Sequence, residues 1–379
     1  MRISVNDVFQ GRAYGAGDEW DSPTWSIKAR ARVRRLPPDG ASLYDFIDFC
    51  LGVDFAGATS WDLDTDEGKA NYVSYLEAIF LAERTDEGRV SLLGATDHTD
   101  VINMDRFFLG FTQLEELDLA FLEGVLIESM WSAFRDCHAL RRLDLSPLDT
   151  SQVENMGCAF HSCYGLEAID LSMLDTSRVR HMECLLKGCL SLRSVNLTGL
   201  DTSQVEDMRQ LFLDCQSLRE VDLSGLDTAH VRDMSHLFHW CASLEHVDLA
   251  GLDTSRATSL WSMFDGCRSL RALDLSGLDT SRVEKAGCLL RGCSSLEELA
   301  LPGMPADVRA PRLFEGCTSL RRWSAPAAWP VERPGFVPVP TAECGMWWSE
   351  RAGAWMSVAE IAARGAVADT YLAEPGQAR

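Results

Sequence analysis

The chain has 379 residues, of which 46% are hydrophobic and 24% are charged, and this composition is typical of a globular protein rather than a disordered one. Its 57 acidic residues outnumber its 35 basic residues, which gives a formal net charge of -22. This charge argues against nucleic acid or an anionic membrane as the main partner, because phosphate groups bind to basic faces. A cationic partner or a metal ion suits it better.

Neither end of the sequence nor its interior contains a recognisable membrane signal. The start, MRISVNDVFQGRAYGAGDEW, lacks a basic segment followed by an apolar run, and no run reaches the roughly 18 to 20 apolar residues that span a bilayer. We therefore expect no transmembrane segment and, for the sequence as written, a cytoplasmic location.

Residues 1–89 do not repeat and are expected to form a small α/β or α+β cap domain. The segment PTWSIKARARV alternates apolar and basic residues, as in a strand with one exposed face. The segments SLYDFIDFCLGV and KANYVSYLEAIFLAER have the apolar periodicity of amphipathic helices.

Residues 90–325 consist of a repeat with a period of 26 residues. The unit reads Leu-x-x-[Leu/Val/Ile]-Asp-Leu-Ser-Gly-Leu-Asp-Thr-Ser-x-Val-x-x-Met-x-x-x-Phe-x-x-Cys, with local exceptions. One unit cannot bury its own apolar side chains, so neighbouring units must stack, and we predict a solenoid of about nine units. The repeated cysteine stands at Cys137, Cys163, Cys189, Cys215, Cys241, Cys267 and Cys293, and then at Cys317 after a shorter step.

Each unit predicts the same succession of short elements. Leu143 and Leu145 flank Asp144 with the alternation of a strand that has one buried face. Asp-Thr-Ser predicts a turn, and VEDM predicts a second short strand or extended bend. MRQLFLDC predicts one or two helical turns, because Met208, Phe212 and Cys215 are spaced as on a helix.

The repeat LDLSGLDTSRVEKAGCLLRGCSSLEEL and its sister units resemble the BspA-like leucine-rich-repeat surface proteins of bacteria, whose commonest unit is a mycoplasma-type domain of unknown function. The resemblance implies an α/β leucine-rich-repeat-like solenoid, a right-handed stack with non-repeat caps at both ends. It also implies a binding or adhesion role, a cell-surface or secreted location, and no catalytic residues to transfer.

Residues 326–379 are predicted to comprise a Pro-rich linker and a C-terminal capping segment. The segment GMWWSERAGAWMSVAEIAARGAVADTYLAE resembles the one that closes the array in some relatives. Within it, SVAEIAARG predicts a short helix with Ser357 as its N-cap.

The cysteine column is interpreted as a buried, reduced column of small side chains. Additional cysteines at Cys158, Cys184 and Cys288 have spacing that only marginally suits zinc. One unit also contains His236, His239, Cys241 and His246, for which zinc is conceivable. The preferred interpretation of both sets is structural, with no metal and no cofactor.

Two columns of aspartates are predicted along the stack, and each needs compensation for its like charges. The turn column should be capped by backbone N–H groups, and it comprises Asp149, Asp175, Asp201, Asp227, Asp253 and Asp279. The strand column should be compensated by nearby arginines, or less favourably by calcium, and it comprises Asp118, Asp144, Asp170, Asp222, Asp248 and Asp274. Ion pairs between units are predicted for the alternating series Glu154, Arg180, Glu206 and Arg232.

No catalytic motif occurs, so the leading hypothesis is a monomeric, non-enzymatic scaffold that recognises a protein or glycan. The predicted binding surface comprises the strand-face residues that vary between units, namely Arg141, Arg142, Glu167, Arg193, Arg219, Glu220, Glu245, His246, Arg271, Glu297 and Glu298. Two alternatives remain open. Residues 1–89 carry an enzymatic or effector activity with the repeats as a targeting module, or calcium drives structural assembly.

Overall fold

The computed structural model describes residues 2–4, 60–62, 101–110, 115, 117, 119, 122, 124–249, 251–342, 344–365 and 367–374. Two short strands, β1 (Arg2–Ser4) and β2 (Ser60–Asp62), pair antiparallel. The strand and the two helices predicted within residues 1–89 lie outside the described residues.

The repeats form a parallel β-solenoid, which confirms the predicted solenoid. A first ladder of three- and four-residue strands runs along it in separate sheets, with partners one turn apart, as for Ile169 beside Val195 and Leu273 beside Leu299. The middle residue points inward and its neighbours outward. These strands are β5 (Ala168–Asp170), β6 (Ser194–Asn196), β7 (Glu220–Asp222), β8 (His246–Asp248), β9 (Ala272–Asp274), β10 (Glu298–Ala300) and β11 (Arg322–Ala325).

A second ladder follows the residue before the repeated methionine. It begins with the parallel strands β3 (Val101–Asn103) and β4 (Leu126–Ser129) and then continues as single-residue parallel bridges. The extended bend predicted for VEDM is therefore present, although it pairs through one residue per turn. The bridged positions are Ser129, Asn155, His181, Asp207, Asp233, Ser259, Lys285 and Arg309.

The segment from methionine to cysteine is not helical, so that prediction was wrong. Gln210 and Asp214 have φ angles of 59° and 62°, which no α-helix tolerates. The N–H of Phe212 donates to the carbonyl of Leu237 in the next turn at 3.0 Å, whereas the N–H of Leu211 donates locally to Met208 at 3.3 Å. Two left-handed residues per turn thus bring the apolar side chains inward at a spacing that imitates a helix.

Among the buried side chains of the core, three columns make specific contacts between successive turns. Phenylalanines stack in parallel, as for Phe134 and Phe160 with centroids 5.4 Å apart. Each column cysteine donates its thiol to the carbonyl of a residue in the preceding turn, with Sγ to O distances of 3.0 to 3.2 Å. The buried threonines, with the exception of Thr176, donate to a carbonyl of the next turn, as Thr202 does to Asp227 at 2.8 Å.

In the part of the array that the structure describes, the turns with the exact 26-residue period are fewer than the about nine units predicted. The buried leucines that open the strand segment mark six complete 26-residue turns within the described residues, at Leu140, Leu166, Leu192, Leu218, Leu244, Leu270 and Leu296. The next such leucine, Leu320, follows after 24 residues, and the residues before Leu140 are only partly described. The end units therefore depart from the period.

The C-terminal residues continue the sheet but reverse its direction. β14 (Asp369–Leu372) pairs antiparallel with β11, and β12 (Trp347–Ser349) and β13 (Ala354–Met356) extend the same sheet. The Pro-rich segment places Trp329 and Phe336 in the core. The predicted short helix is confirmed as α1 (Val358–Arg364), with Ser357 as N-cap in a capping box with Glu360.

Among the residues that the structure describes, no helix has the length and apolar character needed to cross a membrane.

Candidate binding face

The strand face of the solenoid presents the predicted binding residues to solvent. All of them are exposed except Glu297, which is half-buried. They occupy two adjacent columns, because each turn repeats the strand in register: Glu220 lies beside His246, and Glu298 lies beside Arg322. The backbone therefore brings these variable side chains together on one surface.

The charged side chains of this face do not form ion pairs with each other in the described residues. Along one column the sign changes repeatedly, from Arg141 through Glu167 to Arg193 and from Glu245 to Arg271. Within the described residues, none of the eleven predicted side chains takes part in an ion pair within 4.0 Å. They extend into water and remain available to a partner.

The strand aspartates, in contrast, are held by the backbone and not by the arginines that the sequence suggested. Asp144 accepts the N–H of Ser146 at 2.9 Å, and Asp222 accepts the N–H of Ser224 at 2.8 Å. Hydrogen bonds to Ser146 and to Ser224 lower the pKa of these two carboxyl groups. Asp118 lies outside the described residues. These aspartates cap the turn after each strand, because the N–H two residues on is within reach of the side chain.

A shallow groove of about 730 Å³ crosses the strand face near its first turns. Met173 is 64% exposed beside it, at a position where most other turns have glycine. The small side chains of Ala168 and Ser194 line the groove together with the charged residues Arg142, Glu167 and Arg193. It offers an apolar contact among charges of both signs.

A wider cleft of about 1080 Å³ lies where the strand face meets the C-terminal segment. Its repeat side carries Glu297, Glu298, Arg321 and Arg322, and Trp355 lines the other side with 37% of its surface exposed. An aromatic ring next to carboxylates and guanidinium groups suits a polar ligand that has one flat apolar surface.

The turn aspartates are capped from the backbone. Each accepts the N–H two residues on, from Asp149 with Ser151 at 3.1 Å to Asp279 with Ser281 at 2.9 Å. The equivalent bonds are made by Asp175, Asp201, Asp227 and Asp253. Hydrogen bonds to Ser177 lower the pKa of Asp175, and the same cause acts on Asp201, Asp253 and Asp279.

The ion pairs predicted among Glu154, Arg180, Glu206 and Arg232 do not form in the described residues, and only Glu154 pairs, with another arginine. Glu154 and Arg180 lie in adjacent, hydrogen-bonded turns and both are exposed, so the predicted register is right. However, Glu154 pairs with Arg178 at 3.3 Å, and no ion pair within 4.0 Å joins Glu154 to Arg180 among the described residues. The series continues with Glu206 and Arg232, which likewise have no side-chain ion pair there.

The column cysteines from Cys137 to Cys317 are buried, and those from Cys163 onwards carry free thiols. Burial raises the pKa of Cys189 and of Cys317 to about 12. Cys158 and Cys184 occupy equivalent positions in adjacent turns, and their side chains are hydrogen bonded to each other. The hydrogen bond with Cys184, together with burial, raises the pKa of the Cys158 thiol.

The four residues considered for zinc lie in three separate places. His236 and His239 face each other with their Nδ1 atoms 2.9 Å apart, Cys241 lies in the buried column, and His246 lies in β8 on the strand face. Burial lowers the pKa of both facing imidazoles. In the part of the chain that the structure describes, no three His, Cys, Asp or Glu residues are placed to hold a metal ion.

Sequence reasoning missed a buried ion pair beside these histidines. The Asp265 carboxylate has 3% of its surface exposed and accepts two hydrogen bonds from Arg291, at 3.0 and 2.6 Å. His239 Nε2 lies 3.7 Å from the same carboxylate. His239, Asp265 and Arg291 are spaced by one period each, so opposite charges at one repeat position were a usable signal.

The model of one protein family matches this chain three times. The family is described as mycoplasma protein of unknown function, DUF285, and its matches cover residues 76–194, 102–218 and 191–300. Together they span more than half of the 379 residues. The chain belongs to this family.

Solved structures similar to this DUF285 chain include leucine-rich-repeat proteins of bacteria. A leucine-rich cell surface protein from Faecalibacterium prausnitzii is 18% identical with a TM-score of 0.25, and the match covers 58% of this chain and 76% of that one. The Leptospira interrogans protein LIC12759 is 13% identical with a TM-score of 0.20 over 56% of this chain and 69% of its own.

A leucine-rich-repeat protein of T. pallidum is 20% identical with a TM-score of 0.16, and the match covers 44% of this chain and 48% of that protein. The DUF285 chain thus spans about half of the T. pallidum protein. Among curated proteins, none matches this sequence.

Proposed function

We propose that this DUF285 chain is a non-enzymatic binding protein that holds a protein or glycan partner against its strand face. One observation carries the proposal: the side chains that vary between turns are exposed and charged on one face, without ion pairs among them in the described residues. A folded protein gains little stability from such charges, whereas a partner of complementary charge gains specificity from them.

The dimensions of the face favour an extended partner. Eight successive strand positions, from Arg141 to Arg321, form a row. Seven steps of about 4.8 Å between neighbouring strands make this row about 34 Å long. The groove at Met173 lies near one end and the cleft at Trp355 lies at the other. A polar chain with an apolar group at either end would fit both features.

The test uses a matched pair of double variants. Arg193→Glu with Arg219→Glu reverses two charges on the strand face, and Arg180→Glu with Arg309→Glu reverses two exposed charges elsewhere. Ligands are first selected with the unmodified protein from a glycan array and a peptide display library, and Kd is then measured for each variant. We expect the face variant to weaken binding at least about tenfold while its melting temperature stays unchanged.

The control variant should bind as the unmodified protein does, because its charges lie away from the strand face. Equal affinity of the face variant and the unmodified protein for every selected ligand would overturn the assignment of this face.

A further inference from the structure

Arg178 shows how one turn of the solenoid neutralises an arginine of the next turn. Arg178 stands just before the core residue Val179, and Glu154 stands just after Val153 in the preceding turn. The guanidinium of Arg178 reaches the Glu154 carboxylate at 3.3 Å and also donates to Gln152. The edge of one turn therefore supplies a carboxylate to the arginine of the next.

Three turns further along the solenoid, an arginine stands at the position that Glu154 occupies next to Arg178. Arg256 occupies the position of Arg178, and the residue that corresponds to Glu154 is Arg232. Arg282 occupies the same position one turn later, and there the residue that corresponds to Glu154 is Thr258. The turns are hydrogen bonded in the same register, since the N–H of Thr258 donates to Arg232 as that of Arg180 donates to Glu154, each at 2.9 Å.

These arginines and Thr258 line one open pocket of about 440 Å³. All four residues are exposed, and no carboxylate of the described residues lies within 4.0 Å of the three guanidinium groups. Three like charges around one pocket repel each other, so an anion between them removes an unfavourable interaction and adds charge-assisted hydrogen bonds.

The nearby turn carboxylates only partly offset this charge. Asp253 and Asp279 lie beside Arg256 and Arg282, but each accepts the N–H of its own turn serine, Ser255 or Ser281, at 2.9 Å. Their oxygens are thus directed at the backbone, and the guanidinium forks remain free to bind a second acceptor.

We propose that Arg232, Arg256 and Arg282, with Thr258, form a binding site for a tetrahedral oxyanion, sulfate or phosphate, which takes the role that Glu154 has for Arg178. Arginine matches such groups because its planar fork donates two parallel hydrogen bonds to two oxygens. The pocket is open and larger than the ion, so it admits the free anion or a sulfate or phosphate ester of a small molecule. The site is independent of the strand face.

Isothermal titration calorimetry of the full chain at low ionic strength tests the site, with inorganic sulfate and inorganic phosphate as probes. We expect a Kd of about 1 mM or below for the unmodified protein. Arg256→Gln should weaken binding at least about tenfold. Arg232→Glu should abolish it, because the new carboxylate lies where Glu154 lies and pairs with Arg256. Arg178→Gln is the matched control and should bind as the unmodified protein does.

A phosphate monoester and a sulfate monoester of a monosaccharide form the second arm of the titration. Binding of the esters with the affinity of the free ions identifies a group carried on a larger ligand, and binding of the free ions alone identifies the ion itself. Two results would overturn the proposal: Arg232→Glu that binds sulfate as tightly as the unmodified protein, or sodium chloride at equal ionic strength that gives the same heat. Circular dichroism of each variant establishes that the fold is retained.

Discussion

The inward and outward sides of each turn differ in what they tolerate. In the turn that follows Leu200, Val205, Phe212 and Cys215 are buried and recur from turn to turn, whereas Arg219 and Glu220 are exposed and change. The recurring letters are therefore those that contact the neighbouring turns. The difference teaches that repetition in this chain records packing, and that recognition has to be sought between the repeated letters.

The inward side should be the part that fails at high pH, and this is the largest effect that we expect. Burial raises the pKa of Cys189 and Cys317 to about 12, and it raises the pKa of other column thiols as well. A raised thiol pKa means that the folded state holds protons that the unfolded state releases. The contribution of these thiols to the free energy of unfolding is fully present below the ordinary thiol pKa of about 9, and it is lost as the pH rises towards 12.

Urea denaturation from pH 7 to pH 11 measures this loss, which can reach about 1.4 kcal/mol per pH unit for each thiol. The Cys189→Ala variant serves as control, since it lacks one of these protons and should show a shallower fall above pH 9. Identical pH slopes for both proteins would contradict the explanation.

Removal of a ring from the phenylalanine column should destabilise the stack by several kcal/mol. Phe212 is fully buried and stacks on Phe238 at 5.5 Å. Phe212→Ala should cost about 3 to 5 kcal/mol, because it leaves a cavity between two turns. Phe212→Leu should cost only about 1 kcal/mol, since Leu186 and Leu290 already occupy this column in other turns. Similar costs for both variants, from chemical denaturation, would show that the column does not depend on side-chain volume.

The left-handed positions allow a comparison of the backbone alone. Ser162 and Gly188 occupy the same position in adjacent turns, with φ angles of 60° and 74°. Ser162→Gly should raise the free energy of unfolding by up to about 1 kcal/mol, and Gly188→Ala should lower it by about 1 to 2 kcal/mol. A methyl group at Gly188 meets its nearest atom, Ser162 Oγ, at 3.5 Å, so the expected loss is one of conformation and not of space. Opposite signs in thermal denaturation are the expected result.

The threonine column provides the smallest and most specific effect. Thr202 donates to the Asp227 carbonyl, whereas the buried hydroxyl of Thr176 has no hydrogen-bond partner among the described residues. Thr202→Val should cost about 1 kcal/mol, because it leaves the carbonyl without its donor. Thr176→Val should be neutral or stabilising, because it removes an unpaired polar group. A cost at Thr176 equal to that at Thr202 would refute the role of this bond.

The period of the sequence was sufficient to predict the solenoid, because every turn must present the same apolar shape to its neighbour. The helix within each turn was predicted wrongly for a physical reason. Met208, Leu211 and Phe212 have helical spacing, but the left-handed residues Gln210 and Asp214 produce the same inward pattern without a helix. Glutamine is a weak signal of positive φ, but the position of Asp214 is occupied by Gly188, Gly266 and Gly292 in other turns, and these glycines were a usable signal that was not used.

Contacts between turns could be predicted only where both residues occupy the same position in the repeat. Opposite charges at Asp265 and Arg291, one period apart, were visible in the sequence although they were not used. The pairing of Arg178 with Glu154 joins two different columns, which are offset by two positions in the unit, so the period alone does not show it. The same offset brings Arg232 to Arg256, which is why the basic pocket emerged only from the structure.

The uniform register of the bridges has a consequence for how such a chain can change its length. A deletion of residues 206–231 would join Val205 to Arg232 and bring each remaining residue to a position already occupied by its counterpart, since 26 residues are removed. Recombination between the segments LDTSQVE (200–206) and LDTAHVR (226–232), which are identical at four of seven positions, would therefore shorten or lengthen the molecule in whole turns. Each such event would change the order of the outward side chains while the inward side chains keep their columns. New binding faces could therefore arise on the same core.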